Sequence, residues 1–131
     1  MTNFKVLIAD DEKEVLEILA KRIQAEGYRV VCAHDGQEAW NKITQESPDI
    51  IVLDLTMPKK DGLEILADLR KIPAPPKWQP VIIVSARHEL NDMQKGFALE
   101  ADHYIAKPCT PEDILKAIRL MISLIPQRKT S

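Results

Sequence analysis

The chain has 131 residues, 45% of them apolar and 29% charged, enough to bury the core of about one domain. A net charge of -2 and a pI near 5.9 argue against a broad basic surface, so no direct nucleic-acid binding is expected. No window of about 20 apolar residues occurs, which excludes a transmembrane helix and membrane insertion through one.

The start, MTNFKVLIADDE, lacks the basic and apolar regions of a signal peptide. The cytoplasm is therefore the expected compartment, with Cys32 and Cys109 as reduced thiols. Val6-Leu7-Ile8-Ala9 reads as a first strand running into Asp10-Asp11. Val15, Leu19 and Ile23 make the stripe of a first helix stopped by Gly27, with Leu16 and Ile18 at opposite edges as candidate docking residues. Val30-Val31-Cys32-Ala33 is a second strand; Ala39 and Ile43 mark a second helix after Asp35-Gly36, with Trp40 as core. Ile50 to Leu53 is a third strand running into Asp54, and Leu63, Leu66 and Leu69 mark a third helix. Residues 72–80, IPAPPKWQP, read as a stiff loop at the edge away from the strand ends, or as a polyproline ligand. Val81 to Val84 is a fourth strand running into Ser85, and a fourth helix is expected from Glu89 to Leu99. Tyr104-Ile105-Ala106 is a fifth strand running into Lys107-Pro108. Thr110-Pro111-Glu112-Asp113 opens a fifth helix with a capping hydroxyl, a proline and two acids. Its stripe is Ile114, Ile118, Met121, Ile122 and Ile125; Ala117, Leu120 and Leu124 form a second strip, read as a dimer or effector surface.

None of these strands shows polar alternation, so all but an edge strand should be covered on both faces. Strict strand–helix alternation implies an α/β fold with a parallel sheet and right-handed crossovers. At this length an open, doubly wound five-stranded sheet with five helices is favoured over a barrel. Ligands of such sheets bind beyond the carboxyl ends of the strands. Those ends here carry Asp10-Asp11, Asp54, Ser85 and Lys107. Each has a plain reading as a helix cap or a solvated charge, but all converge on one rim.

Two carboxylates about 4 Å apart repel by roughly 4 kcal/mol at an effective dielectric of 20, so three of them need a cation or protons. Oxygen ligands without His or Cys favour a hard ion, and Mg2+ suits a site of few carboxylates. Mg2+ in turn suits phosphate, with Lys107 as a second positive charge and Ser85 as a hydrogen-bond donor. One carboxylate is then left as a nucleophile toward phosphorus, forming an acyl phosphate. Asp54 is the better candidate, and Asp10-Asp11 the metal-holding pair.

Asp10-Asp11, Asp54 followed by Met57-Pro58 and Asp61-Gly62, Ser85-Ala86 and Lys107-Pro108 together resemble the receiver domain of two-component response regulators. The resemblance spans about Lys5 to Leu124. It implies a flavodoxin-like sheet of order 2-1-3-4-5. It implies that Asp54 is the phosphoacceptor, taking a phosphoryl group from a phosphohistidine on a sensor histidine kinase or phosphotransfer protein. Mg2+ (or Mn2+) would be held by Asp11, Asp54 and the main-chain carbonyl of Thr56, with Asp10 acting through a water. Ser85 and Tyr104 would be the switch residues, and Lys107 the phosphoryl-binding cation. Thr56 and Arg87 match positions that tune dephosphorylation. The switch would be read on the face of the fourth helix, fifth strand and fifth helix, by an output protein or domain or by a homodimer. Such a protein is a signalling switch rather than an enzyme, catalysing only its own phosphorylation and dephosphorylation.

The chain departs from the pattern at Lys60, where an apolar residue is common and the rim becomes more basic. It also departs at Glu100, where glycine is common, and at Cys109, where Phe is frequent. Residues 1–125 are expected to form the receiver domain, with 126–131, PQRKTS, a basic tail or the start of a truncated linker. Two other readings stay open: a binding module of the same fold that is never phosphorylated, and an aspartyl phosphatase of the haloacid dehalogenase class. The second is disfavoured because its nucleophile would follow the first strand, with another acid two residues on; position 56 is Thr.

Overall fold

The computed structural model describes residues 4–55, 57–73, 75, 77–86 and 101–129, with side chains through Ile125. The elements are β1 (Lys5–Ala9), α1 (Lys13–Ala25), β2 (Arg29–Ala33), α2 (Gly36–Glu46), β3 (Ile50–Asp54), α3 (Gly62–Arg70), β4 (Val81–Ser85), β5 (His103–Ala106) and α4 (Pro111–Lys129). The helix expected from Glu89 to Leu99 lies outside the described residues, and α4 is the fifth helix of the sequence reading. All five strands are parallel, in the order β2-β1-β3-β4-β5.

Side-chain alternation along the strands builds two apolar layers. Val6, Ile8, Val52, Ile82 and Val84 pack with Leu16, Leu19 and Ile23 of α1 and with Ile114, Ile118 and Met121 of α4. Leu7, Leu53, Val81 and Ile83 pack on the other side with Ala39 and Ile43 of α2 and with Ile65, Leu66 and Leu69 of α3. The central strands β3 and β4 are buried along their full length, whereas the edge strands β2 and β5 are partly open. This is the doubly wound sheet expected from uninterrupted apolar runs.

Each helix starts where the sequence supplies a cap. Asp35 accepts from the Glu38 amide at 2.8 Å, Asp61 and Glu64 close a reciprocal box at α3, and Thr110 and Asp113 close another at α4. α1 ends at Gly27, which takes a φ of +95° and donates to the Gln24 carbonyl.

Three surface assignments are corrected. Leu16 is buried in the core, so of the two proposed docking residues of α1 only Ile18 is exposed, at 60%. Trp40 is half-buried and sits under the Lys60 ammonium, 5.6 Å from the ring centre, instead of in the core. The second strip of the last helix does not stand apart: Ala117 is buried and Leu124 half-buried in the first layer, leaving Leu120 exposed at 49%. A helix lying flat on a sheet buries an apolar face wider than one stripe.

The amino-terminal edge of the sheet is tied by polar contacts. Asp49 accepts from the Lys5 amide and from Lys77, both at 2.9 Å. Asp102 accepts from Arg70 and from the Val81 amide, both at 2.8 Å. The loop 72–80 closes this edge, where the sequence placed it; Ala74 and Pro76 lie outside the described residues.

Candidate functional site

The opposite rim carries the acids. Asp10 follows β1 and Asp54 ends β3, in the same alternation as Ile8 and Val52, so both belong to the side of the sheet covered by α1 and α4. They are only 4% and 6% exposed, while Asp11 is exposed. One carboxylate oxygen from each of Asp10, Asp11 and Asp54 lies within 4.8 Å of the other two. Helix capping does not account for this group. Asp61, not Asp54, caps α3, and α1 has no side-chain cap. Asp10 Oδ1 instead accepts from the Glu12 amide at 2.9 Å, which fixes the carboxylate.

Lys107 answers the acids. Its Nζ lies 3.3 Å from Asp10 Oδ2 and 3.3 Å from Asp54 Oδ2. Partial burial pulls its pKa down, but Asp54 and Asp10 outweigh that and hold the ammonium above the ordinary lysine value. Its backbone is anchored too, since the Lys107 amide donates to the Ser85 carbonyl at 2.7 Å. Ser85 is 1% exposed at the end of β4. One lysine cannot balance three carboxylates at these separations. The residual charge and all-oxygen donor set fit a hard divalent ion such as Mg2+.

The chain after Asp54 is strapped to α2. Gly36 donates to the Pro58 carbonyl at 3.2 Å, and Lys59, at a φ of +72°, reaches Asp35 at 3.4 Å. A Cβ on Gly36 would stand 1.6 Å from the Lys60 carbonyl oxygen, so only glycine permits this approach. Lys60 pairs with Asp68 and covers Trp40, so its charge is engaged away from the acids and does not add to the rim as the sequence suggested.

A cavity of about 470 Å3 opens beside Asp54 and Lys107, between α1 and the Pro108–Pro111 turn. Cys109 lines it, and burial pushes that thiol up, away from the reactive thiolate. Cys32 is likewise a free thiol raised by burial, on the opposite edge strand.

The structure thus brings together Asp10, Asp11, Asp54 and Lys107, with Ser85 at the neighbouring strand end. Tyr104 is half-buried on β5, opposite Ile83, packed against the layer of α2 and α3. Thr56, Arg87 and Glu100 lie outside the described residues. The strap through Gly36 and the cavity went unread in the sequence. The only signal for the strap was a glycine at the first position of a helix, and for the cavity a small residue at 109.

A family profile described as response regulator receiver domain matches residues 6–119. The chain is 40% identical over 121 residues to a protein named "Probable transcriptional regulator ycf27" of Guillardia theta, covering 92% of this chain and 46% of that protein. The chain thus spans about half the length of that relative. Among solved structures, the receiver domain of the Francisella response regulator 1452 aligns with a TM-score of 0.83 and 32% identity, covering 91% of this chain and 96% of that one. A CheY-like response regulator receiver domain protein from Methanospirillum hungatei aligns with a TM-score of 0.88 and 26% identity, covering 96% and 98%.

Proposed function

The chain belongs to the response regulator receiver domain family of two-component systems, and from that premise we propose that it is a phosphorylation-driven switch with Asp54 as the acceptor. The observation that carries the reading is the buried Asp54 carboxylate held between two further acids and the Lys107 ammonium. Asp10, Asp11 and Asp54, with the main-chain carbonyl of Thr56, would hold Mg2+ or Mn2+. When bound, that ion supplies the positive charge that offsets the phosphoryl oxygens.

An Asp54 oxygen attacks phosphorus in line; the bond from phosphorus to the donor breaks, and the donor leaves with the electron pair. Lys107 moves from its carboxylate partners toward the incoming phosphoryl oxygens and stabilises their charge. Ser85 donates a hydrogen bond to the same group. The donor is a phosphohistidine of a sensor kinase or phosphotransfer protein. The modified Asp54 gains about -1.5 to -2 charge in place of a carboxylate that Lys107 already neutralised in part. Ser85, Lys107 and Tyr104 repack in response, and the segment before β5, β5 itself and α4 present the altered face to an output partner, an output domain or a second copy. Thr56 and Arg87 set how long the group persists. The switch acts in the cytoplasm; no described helix is long and apolar enough to cross a membrane.

Intact-mass spectrometry with acetyl phosphate and Mg2+ tests the reading. One phosphoryl group per chain is expected, and none in Asp54→Asn. No adduct in the parent chain, or an undiminished adduct in the variant, overturns it.

A further inference from the structure

We infer that the cavity beside Asp54 is a leaving-group pocket that selects small apolar acyl phosphates as phosphoryl donors. The inference rests on Asp54 being the acceptor. The cavity, about 470 Å3, falls in the size range of small-molecule sites. Its polar end is formed by Asp10, Asp54 and Lys107. Its walls are apolar: Val15, Ile18 and Leu19 of α1, Val84 of the sheet, and Cys109 and Ile114 before and within α4.

The depth decides the occupant. Ile8 and Val52 also line the cavity and are 1% and 2% exposed, so the space reaches the buried surface of the sheet. A phosphohistidine borne on a protein surface would use only the mouth, where Ile18 is 60% exposed. A small donor can place its phosphoryl group at the acids and Lys107 while its hydrocarbon part enters the apolar length. The charges match that orientation, since the single cation of the cavity stands at the phosphoryl end.

The step balances without a further reagent beyond the divalent ion already invoked. An Asp54 carboxylate oxygen bonds to phosphorus, the bond between phosphorus and the acyl oxygen breaks, and the donor leaves as a carboxylate with the electron pair. No proton moves. Cys109 leaves room for the group, because a larger side chain there would occupy the wall of the cavity.

Benzoyl phosphate and acetyl phosphate release similarly weak bases, so comparing them reads the apolar part. Initial rates by intact mass, with Mg2+ and the whole chain, are expected to favour benzoyl phosphate about tenfold. Cys109→Phe should pull the ratio of the two rates toward one. Ile18→Gln, at the exposed mouth, should lower it less and guards against misfolding of the first variant. Benzylphosphonate, which transfers nothing, should shift the amide resonances of Val15, Leu19 and Ile114, and methylphosphonate should not. If acetyl phosphate labels Asp54 but benzoyl phosphate is no faster, or neither variant changes the ratio, the pocket assignment fails while the switch stands. Shifts of these amides by a protein donor but not by benzylphosphonate would assign the cavity to a partner side chain and also overturn it. If neither donor labels the chain, the acceptor role of Asp54 falls, and the pocket with it.

Discussion

Lys107 Nζ stands 3.3 Å from Asp54 Oδ2 and equally far from Asp10 Oδ2, so one ammonium holds two carboxylates that come from different strands. Electrostatically, β5 is thereby tied to β1 and β3 across the rim, and the acids are kept charged before any ion arrives.

Replacing Lys107 with Met removes that tie and leaves two nearly buried carboxylates facing each other. Unfolding in urea without divalent ion should show a loss of about 2 kcal/mol at pH 7, below the 3–5 of a fully buried pair because the ammonium is partly solvated. Excess Mg2+ should recover part of the loss. The folded-state pKa of Lys107 lies above the ordinary 10.5, so its contribution is complete below that value. The gap between parent and variant should therefore stay flat from neutral pH to about pH 10 and close as pH rises through the raised pKa.

Gly36→Ala should cost about 3 kcal/mol by urea denaturation, because the new Cβ would stand 1.6 Å from the Lys60 carbonyl oxygen and the strap would have to move. A loss under about 0.5 kcal/mol would mean that the chain after Asp54 is free of α2.

The strands and helices were legible because their apolar runs and caps are local: Ile50 to Leu53 can only be a covered strand, and Thr110 to Asp113 can only open a helix. The rim was legible because strand ends in a parallel sheet share one side, so Asp10, Asp54 and Lys107 meet without any knowledge of side-chain packing. Lys60 and Trp40 were misplaced because their partners come from different elements: the ammonium lies over a ring of α2 and pairs with Asp68 of α3. Ala117 was misplaced because how far a helix settles onto a sheet depends on the surfaces of both.

Lys60→Met tests that correction. With its charge engaged by Asp68 and Trp40, its loss should cost at most about 1 kcal/mol and change the acetyl phosphate rate by no more than about twofold. Tryptophan fluorescence should shift, since the cation over Trp40 is gone. A large fall in phosphorylation would return Lys60 to the acidic rim.

The capping carboxylates give the acid limb. Backbone amides of Glu38 and Thr110 hold Asp35 and Asp113 below the ordinary carboxylate value of 3.8. Their contribution is present above that value and fades as pH falls through the lowered ones. In the double variant Asp35→Asn, Asp113→Asn, where Asn still caps, the difference in melting temperature from the parent should shrink below about pH 3.8.

Arg22 donates to Glu112 at 2.7 Å and pairs with Glu26 at 3.3 Å, and Arg119 donates to Glu26 at 2.6 Å, so four exposed charges cross-link α1 and α4. Mobile ions screen such exposed pairs within about 8 Å at physiological ionic strength. These two helices also flank the cavity beside Asp54, which makes that seam sensitive to the salinity of its surroundings. Osmotic or ionic stress would thus reach the acceptor from its α1 side, through the grip of one helix on another.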